Sequence, residues 1–246
     1  MPHIEIAAEK LAEILGFPIT NALLSSWLAV GILGAAALLL RGRILLVPRT
    51  LQNIMEFFME SFLTLMEGVL GQRDRAEKYF PIVGTVFLFI LTSNWLGILP
   101  GVGSIGFFEE TAGHGTRFVP LLRSAASDLN VTLTLATITV LAVHILAVGA
   151  IGMRPHVSRF FSLKGPMEFF VGILEFVSEF AKIISFSFRL FGNIFAGEVL
   201  LIITGFLVPI GAPIPFLMLE IFVGFVQALV FAMLTVVFIS IAVAHH

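Results

Sequence analysis

Ser185-Phe-Ser-Phe-Arg189-Leu-Phe-Gly-Asn193-Ile-Phe-Ala-Gly-Glu198 is an apolar helical pattern with one arginine inside it. If this helix lies in a bilayer, the arginine is costly: a charge near the bilayer centre is worth roughly 2.5–17 kcal/mol, depending on how it is measured. On a helix, local partners sit three or four residues away. Those positions are Ser185, Phe186, Gly192 and Asn193, and none is acidic. Glu198 is nine residues on, about half a turn round the helix and about 13.5 Å along it. It faces a different environment and is not the counter-ion of Arg189. The charge must therefore be matched by another element, another chain or water.

The surrounding chain makes the bilayer the right solvent. Of 246 residues, 58% are hydrophobic and 12% charged, against about 45–50% and about 25% in soluble domains. This composition predicts an integral membrane protein, read as a single domain over residues 1–246. A formal charge of −2 and the lack of a basic tract give no nucleic-acid signal. With no cysteine, disulfides and thiolate metal sites are excluded. The N-terminal residues carry more acid than base and lead straight into a long apolar stretch, unlike a cleaved signal peptide.

Outward from the motif, residues 166 to 207 form about 42 positions with no proline after the first and no cluster of turn residues. That is roughly 60 Å of helix, twice the hydrocarbon thickness. One long tilted helix is favoured over two spans with a hidden turn, because glycine alone is tolerated in membrane helices. Pro209, Gly211, Pro213 and Pro215 then make a turn, and a last helix runs from about Phe216 to Val243, with His245 and His246 behind it. Upstream, residues 22 to 40 read as a first span ending at Arg41 and Arg43. Arg73, Asp74, Arg75, Glu77 and Lys78 read as a charged loop. The second span follows from Tyr79 to about Leu99-Pro100. A loop holds Glu109, Glu110, His114, Arg117 and Arg123, and the third span covers about Asp128 to Met153. Arg154, Arg159 and Lys164 come next. The basic residues after the first and third spans place those ends in the cytoplasm, with the N-terminus outside and the C-terminus inside. Residues 50 to 70 differ. Glu56, Glu60 and Glu67 share a face with Gln52 and Asn53, so an amphipathic helix in the interface is expected. The fold class is an all-α membrane protein: about five spans, one interfacial helix and a long antiparallel hairpin of about 166–207 and 216–243.

Polar residues inside the apolar segments are functional hypotheses by default, often proton relays. Glu168, Glu175, Lys182 and Arg189 are spaced by sevens, which drifts only about 20° per step along one face. Glu179 lies near Glu175, and Asn193 is on the same face. Two readings stand: a solvated end with Glu179 and Lys182 as an i,i+3 pair, or a polar path leading from the inner surface towards Arg189. On the last helix, Glu220 and Gln227 are also seven apart. An antiparallel hairpin puts Glu220 and Glu198 in the outer half and Gln227 near the level of Arg189. Asp128 and Asn130 start the third span at that outer surface. Two polar inlets that stop short of each other do not conduct alone, and an arginine between them repels positive charge. His144 by itself reads as a packing histidine.

Arg189-Leu-Phe-Gly-Asn-Ile-Phe-Ala-Gly-Glu198 closely resembles the signature of subunit a of the F-type ATP synthase. Thr92-Ser-Asn-Trp-Leu-Gly-Ile-Leu-Pro100, Ser127-Asp-Leu-Asn-Val-Thr132 and Gln227-Ala-Leu-Val-Phe-Ala-Met-Leu-Thr235 extend the resemblance over most of the chain after residue 80. It implies a proton-translocating stator subunit whose hairpin wraps a rotating ring of c subunits. It further implies b-type peripheral-stalk subunits and the rest of the complex as partners, membrane lipid around it, and no metal or cofactor. The implied home is a bacterial inner membrane in preference to a mitochondrial one. Arg189 then corresponds to the essential coupling arginine. Glu198, Glu220, Asp128, Asn193 and Gln227 fall on the outer proton path, and Glu175, Ser178, Glu179 and Lys182 on the inner one. Glu220 stands where some relatives have histidine. Gly97 stands where members tend to carry an acidic residue. The chain has no G-x-x-x-x-G-K-[S/T] phosphate loop, so ATP chemistry belongs elsewhere. The alternative is an independent secondary ion transporter, which would need internal repeats and a midplane site.

Overall fold

The structure is a computed structural model of the chain and describes residues 8–14, 16–41, 50–99, 101–102, 105–111, 115–160, 165–209 and 211–244. The elements, in order, are β1 (Lys10–Ile14), β2 (Phe17–Thr20), α1 (Asn21–Arg41), α2 (Thr50–Leu70), α3 (Arg73–Ile98), β3 (Gly106–Thr111), β4 (Gly115–Pro120), a 3₁₀ turn at Ala125–Ser127, α4 (Leu129–Ile151), α5 (Met153–Phe160), α6 (Pro166–Leu207) and α7 (Pro213–Val243). α1, α3, α4, α6 and α7 are long and apolar enough to cross a membrane, and α2 is not among them. The all-α, five-span expectation with one amphipathic helix therefore holds. Arg43, Pro100, His114, Lys164, His245 and His246 lie outside the described residues.

The described residues fall into two compact units. One comprises Met1–Arg43, Phe87–Thr132 and Phe188–Leu229, and the other Ile44–Val86, Leu133–Ser187 and Val230–His246.

In the first unit, β1 pairs antiparallel with β2 and β3 with β4. Neither hairpin was expected; the stretch holding Glu109, Glu110 and Arg117 read as a loop. The turn before β2 uses Gly16 at φ +80°, a conformation that costs glycine nothing. α1 enters through Thr20, whose Oγ1 accepts a hydrogen bond from the Leu23 amide at 3.2 Å, satisfying one orphan donor of the first turn. The parts of α6 and α7 in this unit run antiparallel, since Asn193 pairs with Gln227 and Gly197 abuts Glu220. α7 begins at Pro213, three residues earlier than expected, because the fixed φ of proline suits the first helical position.

In the second unit, α2 buries Phe62, Leu63, Met66 and Leu70, the i, i+1, i+4, i+8 stripe of an amphipathic helix. Phe62 meets Phe80 edge-on at 6.0 Å. Gly71 at φ +73° ends α2, as a left-handed residue commonly does. The charged stretch from Arg73 to Lys78 is not a loop but the start of α3. Arg73 folds back to reach Glu60 at 2.6 Å, Glu67 at 3.8 Å and Glu77 at 3.0 Å. Its hydrogen bond holds the Glu60 carboxyl below the usual carboxylate range. Gly172 faces the end of α5 so closely that an added Cβ would lie 2.5 Å from the Phe160 carbonyl oxygen. α5 therefore packs directly on α6.

α6 is one continuous helix over its 42 residues, as its uninterrupted apolar pattern requires. Only 11% of its most apolar stretch is buried, against 44% for α7.

Candidate functional site

Each unit carries its own cluster of charged residues. In the first, Arg123 Nε donates to both oxygens of Glu198, at 2.8 and 3.1 Å. The Arg123 side chain is 10% exposed and that of Glu198 26%. The Arg123 backbone N–H donates to Ser25 Oγ of α1 at 3.2 Å, and the guanidinium lies 6.0 Å over the Phe195 ring. The counter-ion of Glu198 is thus an arginine from the segment between β4 and the 3₁₀ turn. One N–H shared between the two oxygens is a bifurcated, charge-assisted contact.

Glu220 is 7% exposed, and its Oε2 meets no hydrogen-bond partner among the described residues. It sits against Gly197, where a Cβ would come within 2.7 Å of the carboxylate. The space for this side chain exists because residue 197 has none. One turn deeper, Asn193 Nδ2 donates to Gln227 Oε1 at 2.7 Å. Asn94 Nδ2 donates to the Gly224 carbonyl at 3.1 Å, and Trp95 Nε1 to the Ile221 carbonyl at 3.2 Å. α3 thereby holds α7 in this unit. Asp128 is 5% exposed and caps α4, its Oδ1 accepting from the Asn130 amide at 2.9 Å and from Asn130 Nδ2 at 3.2 Å. It precedes α4 and is not its first residue.

Arg189 is exposed. Among the described residues it has no hydrogen bond or ion pair. It lies on a stripe of exposed positions, Ser185, Arg189, Gly192, Ala196, Leu200 and Ile203, at the spacing of one helix face. Glu198 is half-buried and directed to Arg123, in keeping with the half-turn offset read from the sequence.

In the second unit, Lys182 Nζ reaches Glu179 Oε1 at 2.7 Å, the i,i+3 pair. Glu179 Oε2 lies 3.5 Å from His144 Nε2 of α4. Arg159 of α5 pairs with Glu175. His144 and His156 stand with ring centroids 5.2 Å apart. Burial, then the neighbouring His144 and Arg159, push His156 below the ordinary imidazole range. Ser178 is exposed. Among the described residues no group of three His, Asp or Glu side chains could hold a metal ion.

Residues 23–240 match the family model described as ATP synthase A chain. The chain is 30% identical to ATP synthase subunit a of Moorella thermoacetica over 229 residues, 93% of either protein. It is 34% identical to ATP synthase subunit a of Campylobacter jejuni over 198 residues, 79% of this chain and 77% of that one. The chain belongs to the ATP synthase subunit a family. It is accordingly a multi-pass membrane protein, as its five apolar helices require.

Membership in this family makes the residues missed in the sequence the informative ones. Arg123 read only as a loop charge, yet Glu198 needed a cation and no residue within a helical turn supplied one. That deficit was the available signal. His144 read as a packing group, and neither His156 nor Arg159 was singled out, although all three converge on the stripe of α6. Gly97 also gains a physical reason: a Cβ there would lie 2.5 Å from Ser124 Cβ and 2.8 Å from its Cα. The position has no room here for any side chain.

Proposed function

We propose that this chain is the proton-translocating stator subunit of an F-type ATP synthase, acting as one membrane domain in a bacterial plasma membrane. Its N-terminus lies outside and its C-terminus in the cytoplasm. Two offset aqueous half-channels carry protons to and from carboxylates on a ring of c subunits, and b-type stalk subunits hold the stator in place. The observation that carries the reading is Arg189: an exposed cation without a described partner, on the least buried of the long apolar helices. A charge so placed requires an external counter-ion. Small residues around it, Ser185, Gly192 and Ala196, allow another helix to come close.

A proton enters from outside near Asp128, Glu198 and Glu220, with Asn193 and Gln227 lining the path towards the arginine. It neutralises a ring carboxylate, which can then face lipid. After nearly a full turn of the ring, the proton leaves along Glu175, Ser178, Glu179 and Lys182. Arg189 repels a proton seeking a direct route and favours the ionised form of the carboxylate that reaches it. The membrane potential supplies about 2.3 kcal/mol per charge per 100 mV, so several protons are combined for each ATP made by the soluble head. Arg189→Ala should abolish both ATP synthesis and ATP-driven proton pumping in membrane vesicles. Normal ATP-driven acidification by that variant would overturn the assignment.

A further inference from the structure

The second unit contains a histidine pair to which the proposed function gives no task. His144 comes from α4 and His156 from α5, and their rings meet edge-on at 67°. The Nδ1 atoms of both are buried and meet no hydrogen-bond partner among the described residues. A cavity of about 10 Å³ is lined by these two residues together with Arg159, Glu179, Lys182 and Ala242. That is about the space one water needs, and its wall offers several polar partners. A single water in that cavity would satisfy both imidazole nitrogens.

The fixed charges around the pair cancel. Arg159 of α5 is matched by Glu175, and Lys182 by Glu179, both on α6. α7 contributes Phe238, Ile241 and Ala242, with no charge. Imidazole is the side chain whose ordinary range of charge change lies between about pH 5 and 8. Burial and the positive neighbours favour neutral His156, which can accept a proton. α5 is held firmly enough to keep the geometry: Arg159 grips Glu175, Phe160 meets Phe176 at 6.5 Å, and the Phe160 carbonyl presses on Gly172. α5 is otherwise mostly exposed, so His156 joins the buried cluster to a wet surface.

We infer that His144 and His156, bridged by one water, form a proton relay between Glu179 and the surface at α5. The inference rests on the proposed proton-carrying function and names residues of its inner path. A proton that arrives at Glu179 along the inner path passes from Oε2 to His144 Nε2, across the 3.5 Å between them, and leaves Glu179 again as the carboxylate partner of Lys182. The imidazolium releases its Nδ1 proton to the water. The water passes a proton to His156 Nδ1, and His156 releases one from Nε2 to bulk water. Each ring is left in its other tautomer, and loss of a proton from one nitrogen to water with gain of one at the other restores the first.

The test uses the whole complex in proteoliposomes, with passive proton conduction driven by a potassium diffusion potential and the pH on the α5 side varied from about 5.5 to 8.5. The unmodified complex should show an inflection on the acid side of the ordinary imidazole range, where burial and positive neighbours place His156. His144→Gln and His156→Gln should each lower conduction about tenfold and remove the inflection. Ala242→Val leaves both histidines in place and fills the cavity, and it should have the same effect. Variants that conduct as the unmodified complex does, with the inflection intact, refute the relay and leave the proposed function standing. An unmodified complex that passes no protons refutes both.

Discussion

Replacing Arg123 by Gln strands Glu198. The two side chains are 10% and 26% exposed, and Nε approaches both carboxylate oxygens within 3.1 Å. An exposed ion pair is worth about 0.2–1 kcal/mol, whereas removing one member of a fully buried pair costs about 3–5 kcal/mol. This pair lies between, nearer the buried limit on the arginine side, so the loss should be about 2 kcal/mol. At about 2–4 °C per kcal/mol for chains of about 150–250 residues, the thermal midpoint should fall by about 4–8 °C. Glu198→Gln should cost less, because a glutamine carbonyl still accepts from Arg123 Nε and no carboxylate is left unpaired. The double variant should be little worse than Arg123→Gln alone, giving a coupling of about 1–2 kcal/mol. Thermal unfolding of the purified chain in detergent, followed by tryptophan fluorescence, measures it; Trp95 reports the same unit. Additivity of the two substitutions to within about 0.5 kcal/mol would show that the contact does not couple them.

Gly97→Ala should destabilise the chain by about 1–3 kcal/mol, as overpacking does, even though alanine is the better helix former by about 1 kcal/mol. The blocking atoms include the Cα and N of Ser124, which no side-chain rotation can remove, and a melting point at or above that of the unmodified chain would contradict it. Stability should also depend on pH through His156, which is surrounded by His144, Arg159, Glu175 and Glu179. Its folded-state affinity for a proton is lowered, so below about pH 6.5 the unfolded chain binds a proton that the folded chain does not, and stability falls with pH until the folded imidazole protonates. His156→Gln should remove that part of the slope in melting curves taken between about pH 5 and 8, and an unchanged slope would place its origin elsewhere.

The long helix was legible because its information is local. An apolar pattern of 42 residues without an internal proline leaves few alternatives, and α6 runs from Pro166 to Leu207. The i,i+3 pair of Lys182 and Glu179, and the inability of Glu198 to reach Arg189, also follow from helical spacing alone. What was not legible is set by distance along the chain. Arg123 and Glu198 are 75 residues apart, and nothing near either names the other. The start of α3 was lost to a different cause. A run of charges reads as a loop, but Arg73 binds carboxylates one turn along and across the α2–α3 junction, so the charges stabilise the helix they seemed to interrupt. The β-hairpins at Lys10–Thr20 and Gly106–Pro120 are too short and too mixed in composition for a period-2 pattern to emerge.

Matching the charges of α6 and α7 against their partners sets two groups apart. Glu175 has Arg159, Glu179 has Lys182, and Glu198 has Arg123. Each of these carboxylates is anchored by a cation of its own unit, so each is held in place as well as charged. Arg189 and Glu220 are different, and both belong to the first unit. Arg189 is a cation turned outward with no described partner, and Glu220 is a buried carboxylate with one oxygen unsatisfied among the described residues. A protein that needed only to fold would gain by burying apolar side chains at both positions, since unpaired charge in an apolar setting is costly. Under the proposed function the cost is offset from outside the chain, by a carboxylate opposite Arg189 and by a proton or water at Glu220. Had Glu198 been the partner of Arg189, that cation would already be satisfied. Helical spacing alone keeps Glu198 from Arg189, half a turn and about 13.5 Å away, and Arg123 fixes it on that other face.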